Sequence, residues 1–554
     1  METYRERRLD ADVLVIGGGS AGSMACHRAR ELDPGQRVVL FEKGDFRYSG
    51  SIARGMDALN VVAVPGVSTP ELYVESTTIA NEKIIDQSPS RLMAERSFGI
   101  LKKLEKWGVY FPKDADGNYG MLKVHPKGKF LVHMAEPELK RIVSQRAMDA
   151  GVTVVNRTMA VELLTDGDRV VGAVGVNVRS GELVVCHARA VILSNGGVAR
   201  FGLPNSGYLY GTFDFPGNTG DGYAMAYRAG ALLTGFEHTL IYPIIKDMNA
   251  PLLYIVLTRG GKLLDGLKKE LDSTDSNIKN MMMHCFENRG PLSIRMSDLP
   301  EDKVREIEEI LFSVERPAEQ RFFQGRGIDF RRNDIELHPT ECFLCGGHGM
   351  AGLVVDQKAG TTLPGLFCAG DTASVPRQFL TGAFVFGEVA AENATEFAHR
   401  QPPGLVDETQ VDAVRRKIQG ILQQKGRGIG IQEFEYKVRR FINDYLIPPK
   451  NETKLTTGLE FMAQFQEQLF HQVEVRGVHD MTKVLENDNI IQCALLSATA
   501  SLERKESRWG FFHYRTDYPH ADNSRWVRHI DLFLSRGSPE VSVAYRDIDN
   551  PYAD

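Results

Sequence analysis

The chain has 554 residues, 42% of them hydrophobic and 25% charged, the composition of a globular protein large enough for several domains with cores of their own. A formal net charge of −6 argues against a polyanion, so no nucleic-acid partner is expected, while a local basic pocket for a small anion stays open. No apolar run approaches the roughly twenty residues of a membrane helix. Arg7-Arg8 lacks the apolar segment of an export signal and the seven cysteines are scattered, so a cytoplasmic chain with reduced thiols is expected.

In chain order, the first element is the strand Asp12-Val-Leu-Val-Ile16, which runs into Gly17-Gly-Gly19-Ser20-Ala21-Gly22 and then a helix. Gly17 suits a tight turn, Gly19 lets backbone amides approach a pyrophosphate, and Gly22 brings helix close to strand. Val38-Val-Leu-Phe-Glu42 follows about twenty residues on, where a βαβ dinucleotide unit places its second strand, with Glu42 facing an adenosine ribose. This half fits NAD or FAD equally. Val152–Val155, Val170–Val174 and Ala190–Leu193 read as further strands of the same sheet, the last ending at the glycine turn Asn195-Gly196-Gly197. Far downstream, Gly365-Leu-Phe-Cys-Ala-Gly370-Asp371 resembles the distal segment with which flavoproteins of two-dinucleotide-fold type hold the ribityl chain and pyrophosphate, which decides for FAD.

That segment must return to the sheet begun at residue 12, so the intervening chain is an insertion. The expected organisation is α/β: a Rossmann-like FAD domain in two parts, 1–230 and 351–400, an inserted α+β capping domain at 231–350, and a C-terminal helical domain at 401–554. Gln401-Pro-Pro-Gly404 marks the last boundary, and 408–424, 432–446 and 456–472 read as amphipathic helices. A cap facing a flavin makes a lid with substrate between the domains.

Further motifs carry a family resemblance. The chain resembles the flavoprotein subunits of succinate dehydrogenase and fumarate reductase, and within them the α subunit of dissimilatory adenylylsulfate reductase more closely. The resemblance rests on the glycines above, Ser49-Gly50-Ser51-Ile-Ala-Arg-Gly55-Met-Asp-Ala-Leu-Asn60, Gly217-Asn218-Thr-Gly-Asp221-Gly222, Gly347-His348-Gly-Met-Ala-Gly352, Gly370-Asp371, Glu506-Ser-Arg508 and His513–Pro519. It implies FAD contacts from these segments, with Lys43 after the second strand and Gly382-Ala383-Phe384 beyond the distal motif. It also implies an oligomer and electron exchange with a separate, ferredoxin-like iron-sulfur subunit, since the chain carries no cluster motif. The succinate and fumarate enzymes usually attach flavin to a histidine in the segment matching 49–56. None is present and Gly50 stands near that place, so FAD is expected to bind non-covalently. The family's acid arginine is expected to be replaced near Thr274-Asp275, and its lid histidine-proline pair by Tyr242-Pro243, which weakens dicarboxylate reduction.

The expected chemistry is two-electron exchange with a small anionic substrate, adenylylsulfate-reductase-like. The alternatives are an unsaturated-carboxylate reductase and an electron-transfer subunit without its own substrate. A site of this kind needs cations and a tunable acid. His348 matches a family histidine beside the flavin and suits anion binding or proton transfer. Arg259 and Arg377 could each clamp an anion bidentately or form a plain ion pair. Tyr242 and His238 stand equally well as core residues. Cys342 and Cys345 read as buried thiols, Met281–Met283 as a packed helix face, and Lys425, Arg427, Lys437, Arg439 and Arg440 as solvated helix faces. No metal site is expected.

Overall fold

In the strand Glu6–Ile16, Val13, Leu14, Val15 and Ile16 are buried on both faces, which is what a central parallel strand requires. It pairs in parallel with Val38–Glu42 on one side and Leu183–Leu193 on the other, and Thr153–Asn156 adds outside Val38–Glu42. The computed structural model describes residues 5–204, 212–272, 281–316, 318–424, 428–535 and 540–552; the position near Thr274-Asp275 lies outside them.

Leu183–Leu193 changes partners along its length. Its early residues pair antiparallel with Arg169–Asn177, which hairpins back to Thr158–Asp166, while its last residues pair in parallel with Leu366–Cys368. The register sets Ile16 opposite both Phe41 and Leu193, and Leu193 opposite Cys368. Four chain segments therefore leave the sheet at one edge, and the loops they feed meet there. The helices Ser20–Leu32 and Phe379–Arg400 pack together over the sheet.

The insertion has its own five-stranded antiparallel sheet, in the order Pro243–Ile245, Ile335–Pro339, Ser293–Arg295, Lys262–Leu264, Glu270–Leu271. Its core is separate, built on Ile255, Val256, Ile294, Ile307 and Leu311. This sheet occupies 243–339, inside the expected 231–350. Leu233–Thr234 instead joins a small sheet between Gly352–Leu353 and His529–Leu534.

Beyond residue 400 the helices Glu408–Leu422, Ile431–Tyr445 and Glu452–His471 follow the sequence periodicity, with Asp407 and Asn451 as N-caps. The 26-residue helix Val478–Glu503 has no such periodicity because it is buried nearly all round, and its polar residues are bonded in the interior. The region is not purely helical: it ends in the antiparallel pair His529–Leu534 and Val541–Arg546. Met281 and Met282 are buried on a helix face. Arg439 is half-buried and donates to the Gly202 carbonyl at 2.6 Å, so it docks the C-terminal region onto the FAD domain rather than facing solvent. Arg440 is exposed and paired with Asp444 at 3.0 Å, Lys437 is exposed, and Lys425 and Arg427 lie outside the described residues.

Arg504 ties these parts together. It is fully buried, paired with Glu237 at 2.8 Å and Glu506 at 3.1 Å, and donates to the Trp526 carbonyl at 2.9 Å. Removing one member of a buried ion-pair set leaves uncompensated charge and costs about 3–5 kcal/mol. Arg504→Met is expected to lower the thermal unfolding midpoint markedly; an unchanged midpoint would mean that Glu237 finds another partner.

Candidate active site

The loops at the shared sheet edge and the capping domain enclose a cavity of about 420 Å³. At one end stands the turn from Ile16 into the helix Ser20–Leu32. Gly17 has φ +96°, and a Cβ there would lie 2.4 Å from the Ser194 carbonyl oxygen; a Cβ on Gly22 would lie 1.9 Å from the Gly17 carbonyl oxygen. Strand, turn and helix thus approach more closely than any side chain permits. Gly19 is the opposite case: a Cβ there would meet nothing within 4 Å, so its face is turned to the cavity. No side chain caps the helix, and its N-terminal amides and dipole point where a pyrophosphate would lie.

Glu42 ends the second strand with one carboxylate oxygen accepting from the Gly18 amide at 2.8 Å and the other from the Gly44 amide at 2.6 Å. Those bonds fix its orientation on the cavity wall at the end of the strand. Lys140, which sequence reasoning missed, is buried beside it; burial pushes its ammonium down to about 8, and it lies 4.6 Å over the Phe46 ring and donates to the Gly18 carbonyl. Farther along are Ser20, Ala21, Gly50, Ser51, Asn195, Gly196, Asn218, Gly370, Asp371 and Ala383. The Asn195 Oδ1 is buried without a hydrogen-bond partner among the described residues, as an acceptor awaiting a ligand would be. Gly50, with φ +90° and ψ 161°, occupies a region essentially restricted to glycine, and a Cβ there would lie 3.1 Å from the Gly19 Cα. Open cradle, free helix terminus, carboxylate and orphaned amide fit a dinucleotide such as FAD.

Other expected cofactor residues shape the cavity from behind or are already engaged. Lys43 and Asp221 reach the wall, but the ammonium is paired with Asp221 and Glu486, each at 2.9 Å, and bonded to the Gly217 carbonyl and Thr219 hydroxyl. Lys43 therefore locks the loop that carries Asn218. Gly22, Ser49, Gly55, Gly197, Gly382 and Phe384 do not line the cavity. Ser49 bonds the Asp45 carbonyl at 2.9 Å, Gly55 and Gly197 allow backbones to meet, Gly382 makes room for Gln378, and Phe384 is in the core.

At the far end Tyr242, His348 and Arg377 share the wall with Phe213, Phe343 and Phe512. His348 is 5.0 Å from the Phe379 ring and 6.3 Å from that of Tyr242. Burial holds its imidazole below the ordinary histidine range, with Asp214 opposing and Arg377 adding to the effect. A histidine held below that range is a neutral hydrogen-bonding group at neutral pH, which can still bind an anion or pass a proton. Arg377 sits at φ +61°, and its carbonyl accepts from the Tyr73 hydroxyl at 2.7 Å. His238 is packed edge-on to Trp509 at 5.0 Å but still reaches the wall.

Arg259 is not in the cavity. Its guanidinium pairs with Glu306 at 2.8 Å, donates to the Ile255 carbonyl at 2.8 Å and lies 3.2 Å from His133, so it braces the cap. Cys342 and Cys345 are buried free thiols, and burial pushes Cys342 up to about 12, far from thiolate chemistry. Among the described residues no group of three or more His, Cys, Asp or Glu side chains is arranged to hold a metal. No described helix is long and apolar enough to cross a membrane. Sequence reasoning also missed Asp57, Tyr254, Glu315 and Arg316, which line the wall where the cap meets the FAD domain.

A dinucleotide cradle fed by strands that precede and follow an inserted cap, and roofed by that cap, defines an FAD-dependent oxidoreductase. The FAD binding domain family matches residues 12–379 and the Fumarate reductase flavoprotein C-term family residues 435–553; the chain belongs to the fumarate reductase and succinate dehydrogenase flavoprotein family. It is 25% identical over 546 residues to an uncharacterized FAD-dependent oxidoreductase of Methanocaldococcus jannaschii, covering 92% of this chain and 94% of that protein. One subunit of the fumarate reductase (CoM/CoB) of Methanothermobacter marburgensis is 24% identical over 569 residues, covering 94% and 97%. The fold matches that of adenylylsulfate reductase from Archaeoglobus fulgidus with a TM-score of 0.90 at 24% identity, over 99% of this chain and 97% of the other. It also matches Escherichia coli quinol fumarate reductase with a TM-score of 0.85 at 19% identity, over 98% and 97%.

Gly19→Val places a side chain in open space and should leave folding intact while filling the cradle. FAD affinity is expected to fall about tenfold or more, equivalent to about 1.4 kcal/mol, read as flavin absorbance per polypeptide. A variant with wild-type flavin content and unchanged melting would move the pyrophosphate away from this turn.

Proposed function

We propose that this chain is the FAD-bearing catalytic subunit of an oxidoreductase that exchanges two electrons with a small anionic substrate, in an adenylylsulfate-reductase-like reaction, and passes electrons singly to or from a separate iron-sulfur protein. The observation that carries this reading is the placement of His348, Tyr242 and Arg377 on the wall of the cavity that holds the dinucleotide cradle, beneath the cap. FAD supplies a two-electron carrier that can also hand electrons on one at a time.

The residues present divide the remaining work. Arg377 offers a planar, permanently charged fork for an oxyanion, and its unusual backbone angle directs it at this end of the cavity. His348, neutral, can donate or accept one hydrogen bond and so orient the substrate. The aromatic side chains of Phe213, Tyr242, Phe343 and Phe512 exclude water, which strengthens each charged contact. What supports an outlet to a separate protein is the likeness to a chain named as one subunit of a fumarate reductase.

The reading is tested by anaerobic titration of the holoenzyme with sulfite plus AMP and, separately, with succinate. Flavin bleaching that needs both sulfite and AMP is expected; bleaching by succinate alone would replace this reading with the unsaturated-carboxylate one. With whichever substrate bleaches the flavin, Arg377→Ala is expected to raise KM, since a charge-assisted hydrogen bond contributes about 1.5–3 kcal/mol. His348→Ala is expected to lower kcat/KM by up to about tenfold, since a neutral hydrogen bond contributes about 0.5–1.5 kcal/mol, and full activity with intact flavin binding would remove His348 from the mechanism.

A further inference from the structure

Where the capping domain meets the FAD domain, carboxyl groups from the two sides are packed together out of water. Asp57 comes from the loop after the turn Ser51–Arg54 of the FAD domain; Glu315 ends the turn Ile310–Glu315 of the cap, and Glu319 lies one turn on in the helix Ala318–Gly325. Their exposures are 3%, 4% and 0%, so bulk solvent does not screen them. The segments meet without slack, since a Cβ on Gly55 would lie 2.3 Å from the Glu315 carbonyl oxygen.

The Glu315 carboxyl is within hydrogen-bonding reach of Asp57, and Asp57 Oδ1 also accepts from the Tyr254 hydroxyl. Two ionised carboxylates repel in that contact, because each presents only acceptors and like charge. At rest one proton lies between them. Asp57 already accepts a hydrogen from Tyr254, so the proton belongs on Glu315, and burial followed by the Asp57 charge pushes Glu315 up to about 8. The other groups facing the pair are Arg316, His133 and Glu319. Arg316 Nε is 3.7 Å from Glu315 Oε1 while its Nη1 donates to the Asn249 carbonyl at 2.7 Å. His133 is held below the usual histidine range by burial and then by Arg259, and so adds little positive charge. Neither Glu319 oxygen has a hydrogen-bond partner among the described residues, and burial keeps its carboxyl protonated well above the usual range. Asp57, Tyr254, Glu315 and Arg316 line the same cavity as Gly50, His348 and Arg377.

We propose that Asp57 and Glu315 form an acid–carboxylate pair that gives and takes the proton accompanying two-electron exchange in this cavity. The proposal rests on the chain being a two-electron FAD oxidoreductase, but not on the identity of the substrate. In the reducing direction the substrate receives an electron pair from reduced FAD; the Glu315 O–H bond breaks, the proton forms a new bond to the substrate atom that has gained negative charge, and both carboxylates of the pair are left ionised. Arg316 offsets that transient double charge, and a proton taken up from solvent returns the pair to its resting form. In the oxidising direction the substrate gives its electron pair to FAD and its proton forms a new bond to Asp57, the ionised member, and the doubly protonated pair returns to rest by releasing one proton to solvent.

The test needs no substrate, because negative charge placed in the cavity by flavin reduction acts on the same proton. Infrared difference spectra of the holoenzyme, dithionite-reduced minus oxidised, are recorded in H₂O and D₂O for the wild type, Glu315→Gln and Asp57→Asn, after each is shown to hold FAD. A deuterium-sensitive carboxylic C=O band that changes on reduction is expected in the wild type, lost in Glu315→Gln and shifted in Asp57→Asn. Proton uptake per electron pair near pH 8, where Glu315 titrates, is expected to be larger in the wild type than in Glu315→Gln. Tyr254→Phe, which keeps both carboxyls, serves if Glu315→Gln does not fold; it is expected to shift the band. No carboxylic band on reduction, or a band and uptake unaltered by these substitutions, would overturn the proposal. Failure of sulfite, AMP or succinate to bleach the flavin would bear on the substrate reading alone.

Discussion

The pairing of Leu183–Leu193 with Glu6–Ile16 and with Leu366–Cys368 is the contact on which the molecule depends. Parallel strands cannot be joined by a short turn, so each pairing forces a long excursion of chain between its members. The excursion after Leu193 contains the whole capping domain, and the register that sets Leu193 opposite Cys368 returns it to the sheet edge from which the glycine turn departs. Cradle and lid are thus consequences of one strand serving two neighbours.

Charge is distributed in the interior by the same geometry. Cations deep in the chain are mostly spoken for: Lys43 by Asp221 and Glu486, Arg200 by Glu486 and Glu435, Arg504 by Glu237 and Glu506. These sets join the C-terminal helices to the FAD domain and hold the rear wall of the cavity rigid. Such pairs are costly to bury and contribute mainly by fixing which groups meet. At the cap interface the balance reverses, with Asp57, Glu315 and Glu319 gathered around Arg316. Carboxyl groups in such surplus hold protons at a pH where isolated ones would not. One end of the cavity is therefore built to carry a dinucleotide and the other to carry protons.

The inserted segment contributes Tyr242 and Phe343 of the aromatic wall and half of the acidic pair, so its position matters to both. Its own sheet and core make it a body that can pack as a unit against the FAD domain. Arg259, bound to Glu306 within the cap and lying against His133 of the FAD domain, is one of the contacts that set that position.

Much of this was legible in the sequence. Gly17, Gly19 and Gly22 at their spacing, Glu42 about twenty residues on, and Gly370-Asp371 far downstream specify the two halves of an FAD domain, because backbone approach and turn geometry are local demands that only certain residues meet. The three amphipathic helices after residue 400 were equally plain from their periodicity. The helix Val478–Glu503 was not, since burial on all sides erases the periodic signal. Nor could sequence decide where Arg259 points, whether Lys43 is free to meet a cofactor, or that His348 is neutral, because each depends on partners brought from distant segments. The meeting of Asp57 with Glu315 is the clearest case. Asp57 sits in a segment read for its glycines and Glu315 in no motif at all, and their shared proton exists only because the packing of cap against FAD domain buries two acids in contact with Arg316 facing them.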